Sequence, residues 1–226
     1  MALDRPLVFF GPPAAGKGTQ AKRIAELYSV PHLSTGDMLR DAIARGTEVG
    51  RAVKPILESG ALVPDDIVMA MVEERLSRPD CSEGCVFDGF PRTVPQAQAL
   101  DAILCRIGKQ KPLVLELRVP RDTLIRRIAG RRTCSLGGEV YNVYDAPPRV
   151  DEICDRDGGK LVQRPDDRPD VFEQRLRAYE RQTLPLEAFY RREGVLETVD
   201  GSVPMEDVTR ALVSIVMRVQ GRDGHL

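Results

Sequence analysis

The stretch Gly11-Pro12-Pro13-Ala14-Ala15-Gly16-Lys17-Gly18-Thr19 constrains the fold more than any other part of the chain. It follows an apolar run, Pro6 to Phe10, that reads as a strand. It opens a helical pattern from Lys17 to Tyr28, with Ile24 and Leu27 at helix spacing. A strand, a glycine-rich turn and a helix N-terminus in that order aim backbone N–H groups at an anion, and the lysine adds a movable positive charge. The hydroxyl that normally follows the lysine comes one place later, as Thr19 after Gly18. The loop therefore predicts a bound nucleoside triphosphate. It leaves open what becomes of the terminal phosphate.

Further strands are predicted at Cys85-Val86-Phe87, at Leu113-Val114-Leu115-Glu116-Leu117 and, more weakly, from Leu196 to Val199. Helical patterns lie between them, at about 64–77, 95–106, 121–131, 170–192 and 204–219. This alternation predicts an α/β fold, a parallel sheet with helices on both faces. Two segments break the rhythm. Residues 34–63 read as short helices with no strand. Residues 132–163 are rich in Gly, Pro and Asp and carry the alternating stretch Glu139-Val140-Tyr141-Asn142-Val143-Tyr144, which reads as a hairpin-rich insertion. The tail Gly221–Leu226 is expected to fray.

With 226 residues, one large domain or one domain with insertions is expected. Thirty-three basic against thirty-four acidic residues disfavour a nucleic-acid-coating role. No N-terminal apolar run is long enough for a signal peptide or a membrane span, so a cytoplasmic protein is expected. The two histidines, His32 and His225, leave little room for a histidine base or a histidine-rich metal site. Five cysteines without a regular framework fit a reducing compartment. No heptad seam stands out, so a monomer is the default.

A second cluster, Asp88-Gly89-Phe90-Pro91-Arg92, ends the strand Cys85–Phe87, and strand ends are where open α/β sheets bind ligands. An aspartate there can hold the water shell of Mg²⁺, and an arginine can fork onto phosphate. The same residues would also suit a plain Asp-Gly turn with a solvated arginine. Arg127 and Arg131 are four apart, which places them on one helix face beside the insertion. Arg164 stands at the insertion's far end and Arg175 on the next helix. These arginines read either as a lid that brings cations onto phosphates or as surface pairs with Asp166, Asp167 and Asp170.

Taken together, the chain resembles the adenylate kinase family in its long-lid form. The resemblance rests on Gly11–Gln20, Ser34-Thr35-Gly36-Asp37-Met38-Leu39-Arg40, Asp88–Arg92 with Gln96, Arg127 and Arg131, Val140-Tyr141, and Arg164-Pro165-Asp166-Asp167 with Arg175. It implies a five-stranded P-loop nucleotide kinase core (1–33, 64–129 and 168–226), a nucleoside-monophosphate-binding insertion (34–63) and a lid (130–167). The implied reaction is reversible, Mg²⁺-dependent transfer from ATP to AMP, serving adenine nucleotide homeostasis. By resemblance, Ala14, Ala15, Gly16, Lys17, Gly18 and Thr19 cradle the ATP phosphates. Arg131, Val140, Tyr141 and Val203 lie near the ATP base. Thr35, Arg40, Ala61, Leu62, Val63, Gly89, Phe90, Pro91, Arg92 and Gln96 surround AMP. Arg164 and Arg175 clamp the phosphates between the two nucleotides, and Lys17, Asp88, Arg92, Arg127 and Arg131 complete the catalytic set. Other base specificities (GTP with AMP, or ATP with UMP or CMP) and a slowly hydrolysing nucleotide switch remain as alternatives.

The chain departs from the family pattern at two places. Ala14 stands where the loop usually has glycine, and its methyl restricts the backbone. Some relatives bind zinc in the lid through two Cys-x-x-Cys or Cys-x-x-Asp pairs. Here Cys134, Cys154 and Asp157 remain, but Gly137 occupies a ligand position. A filled site would need a water or another donor such as Glu139. The lid is expected to hold without zinc, with two free thiols. Cys85 and Cys105 are expected to be packing residues, and His32 a structural one.

Overall fold

Leu7–Phe10 (β1) is buried at every residue, as a central strand covered on both faces must be. The structure, a computed structural model, describes residues 3–223. In it β1 is the third of five parallel strands. The order across the sheet is His32–Ser34 (β2), Val86–Asp88 (β3), β1, Leu113–Arg118 (β4) and Leu196–Asp200 (β8). Leu7 stands beside Val86 on one side and Leu113 on the other. The period of two sorts the strand residues into two cores. Val8, Phe10, Leu33, Phe87 and Val114 face one layer, with Leu100, Leu104, Leu186 and Tyr190 from the covering helices. Leu7, Phe9, Leu115 and Leu117 face the other, with Ile24, Leu124, Phe172 and Leu212.

The first layer contains Thr35–Ala44 (α2), Glu48–Ser59 (α3), Asp65–Leu76 (α4), Val94–Arg106 (α5) and Pro185–Arg192 (α8). The second contains Lys17–Tyr28 (α1), Arg121–Gly130 (α6), Pro169–Ala178 (α7) and Met205–Asp223 (α9). Residues 131–162 carry a separate three-stranded antiparallel sheet, with Arg131–Cys134 (β5) between Val140–Asn142 (β6) and Leu161–Val162 (β7). Cys134, Cys154 and Leu161 form its small core. No helix among the described residues is long and apolar enough to cross a membrane.

The architecture matches the expected α/β class, and several local readings need correction. Residues 32–34 form a strand, at the start of a segment read as lacking one. The pattern at 170–192 is not one helix. Tyr179–Thr183 is a π turn, closed by Leu184 N–H donating to Tyr179 O at 2.8 Å, and Pro185 then starts α8. Arg131 is not on the helix with Arg127. It caps α6 in extended geometry and begins β5, so the two side chains do not share a helix face. Cys105 is exposed on α5, not packed. At the tail, α9 continues through Gly221 to Asp223, and the rest of the expected frayed segment, with His225, lies outside the described residues.

Candidate active site

The phosphate loop is shaped by three residues at positive φ: Gly11 at 137°, Ala14 at 65° and Gly16 at 94°. Gly11 has no alternative, because a Cβ there would lie 2.6 Å from the Leu117 carbonyl oxygen. Ala14 holds a left-handed conformation that L-residues adopt only at a cost of about 1–2 kcal/mol, which is why glycine suits that place. Gly16 leads directly into α1, so Lys17 is its first helical residue. Lys17 Nζ folds back over the loop and donates to Gly11 O and Pro12 O, each at 2.8 Å.

Asp88 is the last residue of β3, and its Oδ2 lies against Gly18. His32 Nε2 approaches the same oxygen only to 3.7 Å, too far for a hydrogen bond. Removal from water opposes the charge of Asp88, but the nearby Lys17 ammonium helps to hold its carboxyl below the usual range. Just beyond it, Gly89 at φ 72° turns the chain. The Gly89 carbonyl accepts from Thr35 Oγ1 at 2.9 Å and from Arg92 Nε at 2.7 Å, which aims Arg92 into the space above the sheet.

That space is a cleft lined by Gly11, Pro13 and Lys17 together with Gly36, Arg40, Ala61 and Leu62. Gly89, Pro91, Arg92, Asp166 and Arg175 complete the wall, with Tyr179 and Thr183 from the π turn. Lys17, Arg92 and Arg175 thus converge on one cavity from three separate elements. Their environment opposes their charge. Withdrawal from water, followed by the repulsion of Arg92, Arg175 and Arg131 and only partly offset by Asp88, pushes the Lys17 ammonium down to about 7. Desolvation also lowers the Arg92 guanidinium. Arg164 and Arg175 are each pushed down to about 10, first by burial and then by neighbouring guanidiniums.

Only part of this charge is answered within the protein. Asp167, fully enclosed, takes both arms of Arg131. Arg175 reaches Asp166 at 3.0 Å and Asp167 at 3.3 Å. Asp166 and Asp167, expected as surface partners, are the partners of Arg131 and Arg175, but both are buried, Asp166 on the cleft wall; Asp170 pairs with exposed Arg168. Arg40 bonds Asp37 at 2.6 Å, Arg164 donates to Thr133 Oγ1 at 2.9 Å, and Arg127 touches the loop at Ala15 O at 3.3 Å.

Some sequence-derived residues stand apart from the cleft wall. Val63 is buried among the helices, and Gln96 is 2 % exposed behind Arg92. Phe90 is wholly buried, and Val203 packs on the second core. Val140 is exposed in the small sheet, where Tyr141 pairs with Arg132. Tyr179, Thr183 and the tie between Asp65, Thr93 and Gln96 gave no sequence signal.

In the small sheet, Cys134, Cys154 and Asp157 bring their donor atoms within 4.8 Å of one another. Cys134 Sγ also accepts N–H bonds from Leu136 and Gly137, each at 3.4 Å. Among the described residues no fourth ligand joins them. A Cβ on Gly137 would run into Asp157 Oδ2, and Glu139, named as one possible further donor, pairs through Oε1 with Lys22 and Arg156. Three donors do not close a structural zinc site.

A sequence profile described as adenylate kinase matches residues 9–195. An adenylate kinase of Archaeoglobus fulgidus is 46% identical over 214 residues, covering 95% of this chain and 99% of its own length. That of Fervidobacterium nodosum is 48% identical over 210 residues, 93% of this chain and 96% of the relative. That of Geobacter sulfurreducens is 47% identical over 215 residues, 95% and 99% respectively.

Proposed function

The chain belongs to the adenylate kinase family, and on that premise we propose that it moves a phosphoryl group reversibly between MgATP and AMP in the cleft above β1 and β3. The carrying observation is the set of desolvated cations, Lys17, Arg92, Arg164 and Arg175, held where their charges are costly unless a polyanion is present.

The reaction makes the same demand. The nucleophile is an AMP phosphate oxygen, and with a second pKa near about 6 it is already ionised at neutral pH. No protein base is needed, so the absence of a histidine in the cleft wall costs nothing. The barrier lies in bringing two anions into line and stabilising charge as it shifts. Ala14 to Thr19 would cradle the ATP phosphates, with Lys17 turning from its two carbonyls to them. Arg92 and Arg40 would hold the AMP phosphate, with Thr35, Gly89 and Pro91 around it. Ala61, Leu62, Val63 and Gln96 would surround its base. Arg127 and Arg131 would meet ATP from α6 and the lid, with Val140, Tyr141 and Val203 beside its base. Arg164 and Arg175 would span the transferring group. Asp88 and Thr19 offer hard oxygen donors beside the loop, and Mg²⁺ arriving with ATP would supply further positive charge there. We assign 34–63 and 130–167 as the parts that close over the core to keep water out. The setting we propose is a cytoplasmic, monomeric enzyme.

The test is ADP formation from ATP with AMP, GMP, CMP or UMP, and from ATP alone. The reading requires rapid transfer to AMP and little hydrolysis without an acceptor. Equal turnover with and without AMP would indicate a switch, and preference for another acceptor would reassign the base.

A further inference from the structure

Gln96 is enclosed, yet neither end of its amide is idle. Oε1 accepts the backbone N–H of Arg92 at 2.8 Å, and Nε2 donates to Asp65 Oδ1 at 2.7 Å. The other oxygen of Asp65 accepts from Thr93 Oγ1 at 2.8 Å, and Thr93 Oγ1 in turn caps α5 by accepting from Gln96 N–H at 3.2 Å. Asp65, the first residue of α4, is thus tied to the start of α5 at two points.

This closed circuit fixes which way the amide faces. Rotating it by half a turn would set Nε2 against the Arg92 N–H, donor against donor. It would also set Oε1 against the Asp65 carboxylate, acceptor against acceptor. Both contacts would be lost and both replaced by repulsion. Each end keeps one further position, a single N–H on Nε2 and a single lone pair on Oε1. The difference matters because a free glutamine reads two purines equally well. Adenine offers an amino donor beside a ring-nitrogen acceptor, while guanine offers the reverse, a carbonyl acceptor beside a ring N–H. A glutamine that can flip matches either base, and one that cannot matches a single order of donor and acceptor.

We propose that Asp65 is a specificity-determining positioning residue: by locking the Gln96 amide, it makes the acceptor site accept adenine and reject guanine. The inference rests on the reading that Gln96 faces the base of the acceptor nucleotide. Asp65 itself touches no substrate.

The experiment compares kcat/KM for AMP and GMP, each with MgATP, in the wild type and in Asp65→Asn, Thr93→Val and Gln96→Ala. Asparagine can donate or accept, so it removes the repulsion at the Asp65 end of a flipped amide and leaves the Arg92 N–H alone to oppose it. Asp65→Asn is expected to lower the AMP-to-GMP ratio at least about tenfold, with GMP turnover rising, KM for AMP rising and KM for MgATP unchanged. Thr93→Val leaves the Oδ1 contact in place and should shift the ratio in the same direction by less. A purely structural role would lower AMP and GMP turnover together, and an unchanged ratio in a folded Asp65→Asn would overturn the proposal. Gln96→Ala separates the two layers of the argument. If it alters the ratio while Asp65→Asn does not, only the locking role fails. If it leaves the ratio and KM for AMP untouched, the base-reading assignment of Gln96 fails.

Discussion

Lys17 shows most directly what the cleft is built to receive. Burial pushes its ammonium down to about 7, against 10.5 when unperturbed. Between those values the unfolded chain binds more protons than the folded one. This group's contribution to the stability of the empty protein therefore rises as pH increases from about 7 toward 10.5. A polyanion beside Nζ reverses the shift, because it favours the charged form. At pH ~8 the nucleotide phosphates are already ionised, with a second pKa of about 6, so binding a linked bisubstrate compound should take up close to one proton per chain. Calorimetry in buffers of different protonation heat measures this uptake, and Lys17→Met should abolish it. Uptake that survives the substitution would move the cause elsewhere. For Arg92 and Arg175 we propose a different part, as fixed donors for developing charge. Arg92→Ala and Arg175→Ala should each lower kcat/KM roughly 10²–10⁴-fold with the fold retained. A loss below tenfold for both, in a steady-state assay, would remove them from the phosphate path. Lys17 stands out in the sequence, because strand, glycine turn and lysine form one local signature, whereas Arg92 and Arg175 are singled out only together with the other motifs of the resemblance. Their counter-charges Asp166 and Asp167 are named there only as surface partners. Nothing in the order Arg164-Pro165-Asp166-Asp167 tells that Asp167 is enclosed by Arg131 from another element.

At the scale of elements, the readings that failed did so where a pattern was too short or too regular. Strand β2 has three residues between Pro31 and α2, fewer than an alternation needs to be seen. The π turn at Tyr179–Thr183 adds its extra residue inside an otherwise continuous helical pattern, and it is that shift that sets Tyr179 and Thr183 on the cleft. The α2 and α3 pair meets closely at Gly50, in the first turn of α3. A Cβ there would run into the backbone of Ala42 and Ile43, which cannot yield. Gly50→Ala must separate the two helices and should cost about 1–3 kcal/mol in denaturant unfolding. It should also raise KM for AMP and leave KM for MgATP unchanged; a shift in both would show that the damage is not confined to this insertion. In the small sheet, two thiols and one carboxylate already surround a point without a fourth ligand. Wild-type chain should hold zinc well below one per molecule, and Gly137→Cys should approach one, by metal analysis after dialysis. Near-stoichiometric zinc in the wild type would show that an external ligand closes the site.

For the molecule as a whole, the cations reach the cleft from parts that the chain order keeps far apart. Lys17 comes from the loop after β1, Arg40 from α2, Arg92 from the turn after β3, and Arg175 from α7. Arg164 stands at the exit of the small sheet, tied to Thr133 within it. Such a ring repels itself when empty, and one ligand spanning both halves can draw its members together. Much of that attraction crosses an opening to solvent, so mobile ions should weaken it. On the proposed assignment, a linked bisubstrate compound would touch the whole ring, while AMP alone would meet mainly Arg40 and Arg92. Raising salt from ~0.05 to ~0.5 M should then weaken the bisubstrate compound at least about tenfold, and AMP by clearly less. Titration calorimetry at three salt concentrations gives both slopes. Equal slopes would mean that the two ligands meet the same charges, and the separate contributions of the phosphate loop, Arg164 and Arg175 would have to be abandoned. A flat response for both would be more damaging. It would mean that apolar contact holds the nucleotides, and that the repulsion among Lys17, Arg92 and Arg175 serves no ligand.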